Sequence, residues 1–379
     1  MMTRAASLPG QKNRRYFIYF TNHQQRTDTD IFILLLRRFM QHINQIYPLL
    51  KEPGKKLVIT THQKPDGDAM GSSLGLSHFL KQFGHHVTVI SPTNWADFLD
   101  WMPGTRQVLD YERHTPEANA AIDAADWIFC LDFNTLGRTK RMEEKLGKAT
   151  GQRILIDHHQ EPQEEKFAFG ISDTAKSSTC EMVFDMIMNS GNEDKINKDV
   201  ATCLYAGVMT DTGSFRFPIT TAAVHRMVAT LKDKGLQHSH VHEELFDNYL
   251  ENRFRFIGHV LQHRMEIFYE YNTALIAVTQ QDLVKFNIIT GDTEGLVNYP
   301  LSIKGIKLAA IIIDRGEERK CSFRSKGGFD VNSFARKYFD GGGHFNAAGG
   351  QSKAPLEEVV AKFETAMKEN KDQLSNYQF

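Results

Sequence analysis

Short apolar runs alternate with helical patterns through the first half of the chain. Lys56–Thr61 (KLVITT), Val87–Ile90, Trp127–Leu131 (WIFCL) and Arg153–Ile156 (RILI) have the length and composition of buried strands. Helical spacing of apolar residues covers Ala69–Phe83, then recurs near Thr179–Asn189, Lys198–Met209 and Thr221–Lys234. This alternation predicts an α/β fold built on a parallel, helix-flanked sheet. Gly235–Arg264 keeps a helical pattern but is rich in His, Glu and Arg, and reads as a connector. Beyond it Ala274–Thr279, Leu308–Asp314 and Lys320–Arg324 predict strands of a smaller α+β domain. A glycine-rich segment, Gly341–Gly350, and an amphipathic helix from Pro355 complete the pattern. The expected division is an extension at 1–39, a parallel-sheet domain at 40–234, the connector at 235–264 and the second domain at 265–379. The polar stretch from Met1 to Thr29 suggests a dispensable extension, with Met40 one candidate for the natural start.

The residues at the strand ends change the picture. KLVITT leads into His62-Gln63-Lys64-Pro65-Asp66-Gly67-Asp68, WIFCL into Asp132, and RILI into Asp157-His158-His159. A fourth acidic site, Asp211, lies in Thr210-Asp211-Thr212-Gly213, read as a loop. Ligands of an open parallel sheet bind at the C-terminal ends of its strands, so residues distant in sequence can converge there. Pro-Asp-Gly-Asp alone is an ordinary turn, and a lone Asp after a strand commonly caps a helix. The set of four clusters is harder to explain that way.

His62, Asp66, Asp68, Asp132, His158 and Asp211 form a carboxylate–imidazole donor set without thiolates. It suits Mn²⁺, Mg²⁺ or non-haem iron better than structural zinc. Six donors exceed what one ion usually takes while keeping positions open for substrate. Two ions roughly 3.5–4 Å apart would use them all, and such a pair activates water for phosphoester hydrolysis. The chain has no GxxxxGK[ST], GxGxxG or HExxH motif.

Charge narrows the partners. Lys+Arg (45) nearly balances Asp+Glu (46), which disfavours a protein that wraps long nucleic acid. Cys130, Cys180, Cys203 and Cys321 form no CxxC pair and predict buried reduced thiols in a cytoplasmic protein. No apolar run reaches the roughly 20 residues a membrane helix needs. His238, His240 and His242 alternate in a polar stretch and read as solvated surface.

The ordered motifs resemble those of the DHH phosphoesterases: HxxPDGDAxGS, strand-Asp132, Asp157-His158-His159 and Thr210-Asp211-Thr212-Gly213. Gly341-Gly342-Gly343-His344, with Ala347-Ala348-Gly349-Gly350, resembles the first-type DHH-associated C-terminal domain. The resemblance spans about Lys55 to Gln351 and is nearest the branch that trims very short oligonucleotides and dephosphorylates pAp. It implies that His62, Asp66, Asp132 and Asp211 hold one Mn²⁺ while Asp68, Asp132, His158 and Asp211 hold another, Mg²⁺ being an alternative. Asp157 would orient neighbouring groups, and His159 would contact the scissile phosphate or assist the leaving oxygen. The family often has Asn where this chain has Lys64, a position outside the ligand set.

The C-terminal glycines have their own logic. A run at Gly341, Gly342 and Gly343 lets backbone N–H groups approach a phosphate. His344, Arg324 and Ser325 add charge and donors, with Arg315 and Asn298 weaker candidates. The expected substrates are short oligonucleotides and nucleotide phosphates, with no long nucleic acid and no membrane as partner; a homodimer is left open. A cyclic- or linear-dinucleotide phosphodiesterase and a non-catalytic nucleotide sensor are the alternatives.

Overall fold

The computed structural model describes residues 40–289 and 291–375; the expected extension at 1–39 lies outside them. The first sheet contains β1 (Gln41–His42), β2 (Lys56–Thr60), β3 (His86–Ser91), β4 (Leu109–Asp110), β5 (Trp127–Leu131), β6 (Gln152–Asp157) and β7 (Phe169–Ser172). Its order is β1-β7-β6-β5-β2-β3-β4, and every pairing is parallel. The central strands are apolar on both faces because both faces are covered. Leu57, Ile59, Phe129, Leu131, Ile154 and Ile156 face one core, and Val58, Ile128, Cys130 and Leu155 face the other.

The helices Gly67–Lys81 and Lys198–Asp211 cross closely over the first of these cores. Gly207 permits this crossing. A Cβ there would lie 2.3 Å from Cys180 Sγ and 3.0 Å from the Asp68 Cα. The same contact brings the end of the second helix against Asp68.

The second sheet holds β8 (Met265–Phe268), β9 (Thr273–Val278), β10 (Leu308–Asp314), β11 (Arg319–Ser325), β12 (Gly342–His344) and β13 (Ala347–Ser352). Its order is β12-β13-β11-β10-β9-β8, with β9 and β10 parallel and the remaining pairs antiparallel. Leu308, Ala310, Ile312, Cys321 and Phe323 pack under the helices Val331–Tyr338 and Leu356–Glu369. On the opposite face Ala309, Ile311 and Ile313 meet Phe256, Ile257 and Val260 of the helix Glu251–His263. The expected connector is thus two helices with separate allegiances. His238–Phe246 buries Val241 and Leu245 in the first core, whereas Glu251–His263 joins the second sheet.

One buried carboxylate ties that helix to its sheet. Asp282 accepts hydrogen bonds from Thr279 N and Oγ1, from Arg264 Nε and Nη2, and from His259 Nε2. Burial alone would raise its pKa, but the donors, Arg264 foremost, outweigh burial and hold it below the usual carboxylate range. A depressed folded pKa means the stabilisation is present above the unfolded value and is lost as pH falls through the folded one. Asp282→Asn should therefore lose about 1.5–3 kcal/mol at neutral pH, the scale of a charged hydrogen bond. Urea melts should show the gap between variant and wild type closing below about pH 4; a gap independent of pH would contradict the assignment.

All four cysteines are buried and free. Among the described residues no helix is long and apolar enough to cross a membrane.

Candidate active site

Parallel pairing places the C-terminal ends of β2, β5 and β6 on one edge, and the strand-end residues meet there. His62 lies two residues beyond β2, Asp132 directly succeeds β5, and Asp157 ends β6 with His158 and His159 next. Asp66 caps the helix Gly67–Lys81, its side chain accepting from Asp68 N and Ala69 N. Asp211 arrives differently from the expected loop. It is the last residue of the helix Lys198–Asp211, because the helical ladder runs on to Thr212, whose N–H reaches Val208 O.

Two histidine nitrogens face one carboxylate. His62 Nε2 lies 3.4 Å from Asp132 Oδ2 and 3.9 Å from Asp66 Oδ2. His158 Nε2 lies 3.4 Å from Asp132 Oδ1, 3.5 Å from Asp211 Oδ2 and 3.7 Å from Asp68 Oδ2. Their outer nitrogens are committed: His62 Nδ1–H donates to Gln63 O at 2.8 Å and His158 Nδ1–H to Lys176 O at 3.3 Å. That fixes each Nε2 toward the acidic centre. His158 Nε2 is buried and makes no hydrogen bond among the described residues. Carboxylates at 3.4–3.7 Å surround it like donors around a shared centre rather than like hydrogen-bond partners. The donor set and this unsatisfied nitrogen fit divalent cations.

The metal-free electrostatics carry the same message. Burial and then Asp132 push Asp68 up to about 7. Burial and then Asp68 and Asp66 hold Asp211 well above the carboxylate range. Burial opposes ionisation of Asp132, but His158 and His62 overcome it and keep that carboxyl well below its usual value. Converging like charges either protonate or take up a cation.

Support comes from residues without an obvious sequence signal. Thr179 N and Cys180 N donate to the two oxygens of Asp68 at 2.6 and 2.9 Å, and Thr179 Oγ1 donates to Asp132 Oδ1 at 3.1 Å. These groups begin the helix Thr179–Asn189, whose N-terminus favours negative charge. The legible trace is Ser178 as N-cap, accepting from Glu181 N. Asp132 holds a left-handed backbone at φ 63°, which aims its carboxylate between the histidines. Asp157 Oδ1 accepts from His159 Nδ1 at 2.8 Å and so orients that ring.

The second sheet closes the site. The His344 ring packs on those of His158 and His159, with centroids 4.7 and 4.6 Å apart. Desolvation, then the charges of His159 and His158, hold the His344 imidazole well below its ordinary pKa. A cleft of about 270 Å³ opens beside it. Asn134, Arg138, His159 and Gln160 line one wall, and Arg336, Gly342 and Gly343 the other. Nothing in the sequence pattern singles out Arg138 or Arg336. Arg336 Nη1 pairs with Glu161 Oε2 at 2.7 Å, and Asn332 Nδ2 donates to Gln160 Oε1 at 3.2 Å, so both residues tie the two walls together.

Two features of this wall bear on the expected phosphate contacts. The glycine run is part of a hairpin: Gly342 and Gly343 belong to β12, paired with Gly349 and Ala348 of β13. Gly343 N already donates to Asn332 Oδ1, and a Cβ on Gly341 would lie 2.0 Å from Gly349 O, so close strand packing demands glycine. Ser325 is no free donor either. Its Oγ donates to Phe329 O and accepts from Asn346 Nδ2. Arg324 Nη1 donates to Phe323 O at 3.0 Å, and desolvation lowers its pKa against the opposing fields of Glu294, Asp211 and Asp66. His238 and His240 are exposed, as expected, but His242 is half-buried against Tyr205 Oη.

An acidic, histidine-bearing strand edge under a second sheet is the layout of a phosphoesterase, not of a dinucleotide-binding sheet with its glycine-rich helix start. Known proteins agree. The DHH family, N-terminal domain, matches residues 56–208 and the DHHA1 domain matches residues 272–372. The bifunctional oligoribonuclease and PAP phosphatase NrnA of Thermus thermophilus is 30% identical over 336 residues, covering 88% of this chain and 95% of that protein. NrnA of Bacillus subtilis is 27% identical over 323 residues, covering 83% and 95%. An exopolyphosphatase-related protein from Bacteroides fragilis superposes with a TM-score of 0.84 at 40% identity, covering 88% of this chain and 97% of that one. The chain belongs to the DHH family of phosphoesterases.

Proposed function

We propose that this protein is a two-metal phosphoesterase that hydrolyses very short oligonucleotides to mononucleotides and removes the 3′-phosphate of 3′-phosphoadenosine 5′-phosphate. The observation that carries the reading is the division of Asp132, with Oδ2 toward His62 and Oδ1 toward His158, each at 3.4 Å. One carboxylate shared by two histidine-bearing pockets suits a cation pair better than a single ion. His62, Asp66, Asp132 and Asp211 would hold one Mn²⁺, and Asp68, Asp132, His158 and Asp211 the other, with Mg²⁺ able to substitute. When bound, such a pair offsets phosphoryl charge and makes a nucleophile available near neutral pH.

The protein's own groups do the rest. Asp157 fixes His159 through Nδ1, which leaves Nε2 to donate to a phosphate or leaving oxygen when protonated. From the second sheet His344 packs on the rings of His158 and His159, and it and Arg324 would hold the remainder of the substrate. The relatives named oligoribonuclease and PAP phosphatase are matched over 95% of their length, which supports this substrate class. A net charge of −1 gives little long-range pull on a long polyanion.

The test is turnover with Mn²⁺ on 3′-phosphoadenosine 5′-phosphate, a dinucleotide, a long single strand and cyclic di-AMP. The dinucleotide and the bisphosphate should be the best substrates. Cyclic di-AMP turned over in preference to both would make this a cyclic-dinucleotide phosphodiesterase. Binding without turnover would make it a sensor.

A further inference from the structure

Beyond His159 the two walls of the crevice are joined by two side-chain bridges that start from neighbouring residues. Asn332 Nδ2 donates to Gln160 Oε1 at 3.2 Å, and Arg336 Nη1 pairs with Glu161 Oε2 at 2.7 Å. Gln160 and Glu161 follow His159 directly in the chain. Asn332 and Arg336 are four residues apart on the helix Val331–Tyr338 and so share a face. The bridges therefore run side by side, as one strap.

Each end of the strap is anchored. On the first wall Asn134 Nδ2 donates to Gln160 O at 2.6 Å, and Gln163 N donates to Asn134 O at 2.9 Å. Between these bonds Glu161 holds a left-handed φ of 58° immediately before Pro162. Left-handed backbone is uncommon for such a residue, and the position before a proline prefers extended backbone. A conformation disfavoured twice persists only where its surroundings over-determine it. On the second wall Asn332 is buried, and its Oδ1 accepts from Gly343 N at 2.9 Å and from Arg336 Nε at 3.2 Å. Two N–H donors thus fix the oxygen of that amide, which turns its Nδ2 toward Gln160.

The strap bounds the space left for a substrate. The cleft of about 270 Å³ is lined at one end by His159 and by Gly343, the residue before His344. Its lining also includes Gln160 and Arg336, one member of each bridge. The cleft therefore reaches from the histidines to the strap. Its volume falls just short of the roughly 300–1,000 Å³ of an ordinary ligand pocket. It has room for one nucleotide-sized group, and hydrogen-bonded side chains stand across the way of any strand that continues.

We propose that Gln160, Glu161, Asn332 and Arg336 are specificity-determining residues, whose strap makes the crevice blind beyond His159 and restricts the enzyme to fragments that end there. This rests on the phosphoesterase reading and gives its short-substrate class a cause separate from any grip by Arg324 or His344. A dinucleotide fits with the strap closed. A long strand enters only when the strap opens, so its apparent affinity is lowered by the fraction of open molecules. The Arg336–Glu161 pair is exposed and weak by itself, and the Asn332–Gln160 bond adds to it. Together they should hold the open form down by about tenfold.

The experiment compares kcat/KM with Mn²⁺ on a dinucleotide and on a long single strand of the same terminal sequence, and reads the long-to-short ratio. Gln160→Ala combined with Glu161→Asn cuts both bridges, and Asn tolerates the left-handed backbone. Its ratio should exceed that of wild type by about tenfold. Glu161→Arg and Arg336→Glu shift the local charge in opposite directions, yet each breaks the ion pair, so each should raise the ratio. Their combination restores the pair with its sign reversed and should return the ratio towards wild type. A partly unfolded variant lowers both rates together, so the ratio still reads the folded fraction. An unchanged ratio in the first variant would overturn the strap. So would opposite shifts in the two charge reversals, or a wild type that cuts the long strand as fast as the dinucleotide. Binding of the same two ligands, fluorescently labelled, is measured in EDTA, and the same ratio is read from Kd. Failure of wild type to hydrolyse either substrate counts against the phosphoesterase reading and leaves the binding ratio to judge the strap.

Discussion

Asp132→Asn is expected to lower kcat by roughly a thousandfold or more, about 4 kcal/mol of lost transition-state stabilisation. The reason is positional. Asp132 is the carboxylate faced by both His62 and His158, and it is held strongly ionised by them after burial has worked the other way. Asn keeps the shape and tolerates the left-handed backbone at this position, so circular dichroism and the melting curve should change little. Removing one negative charge from a crowded acidic centre even relieves repulsion in the metal-free protein. An Asp132→Asn enzyme that turns over within tenfold of wild type would remove the shared-carboxylate mechanism. An unfolded variant would show instead that Asp132 supports the fold.

The second large effect separates the two sheets. Arg324→Ala should cost dinucleotide turnover about 1.5–3 kcal/mol in kcat/KM, the scale of a charged hydrogen bond, while leaving metal content intact. His344→Ala should act in the same direction. Its ring lies directly against those of His158 and His159, so its metal content has to be read beside its kinetics. Both losses should shrink on bis(p-nitrophenyl) phosphate, which is too small to need the second sheet. With the far wall acting as a ruler, kcat/KM should also fall steeply from a dinucleotide to a strand of tens of nucleotides. Equal losses on small and large substrates would mean that Arg324 and His344 support the fold or the metal centre. A long strand cut as fast as a dinucleotide would remove the ruler.

The catalytic sheet is legible in the sequence because its strands are buried on both faces. KLVIT, WIFCL and RILI read as largely apolar runs, and the first His or Asp after each run, His62, Asp132 or Asp157, belongs to the acidic centre. β7 (FGIS) escapes such a reading because four residues with a glycine carry little pattern. β12 and β13 escape it for a stronger reason. Glycine and alanine have weak strand propensity, and the hairpin exists because backbones can pack closely only without side chains.

At the site, side-chain chemistry is readable and backbone chemistry is not. His62, Asp66, Asp68, Asp132, His158 and Asp211 announce themselves as donors. The two N–H groups that hold Asp68 belong to Thr179 and Cys180, and no residue type encodes such a role. Thr-Asp-Thr-Gly reads as a turn, which suggests a loop at Asp211, although the helix runs through it. Ser325 and the Gly343 N–H look available in sequence, but in the structure both are consumed by the hairpin and its neighbours.

Metal stoichiometry tests the central claim most directly. The protein is stripped with EDTA, dialysed against Mn²⁺ and then against metal-free buffer, and the retained manganese is counted by elemental analysis. Two Mn²⁺ per chain should remain in wild type, at most one in Asp132→Asn, and activity on a dinucleotide should rise only as the second ion binds. Full activity in the EDTA-stripped protein, or full activity with a single ion per chain, would contradict the account.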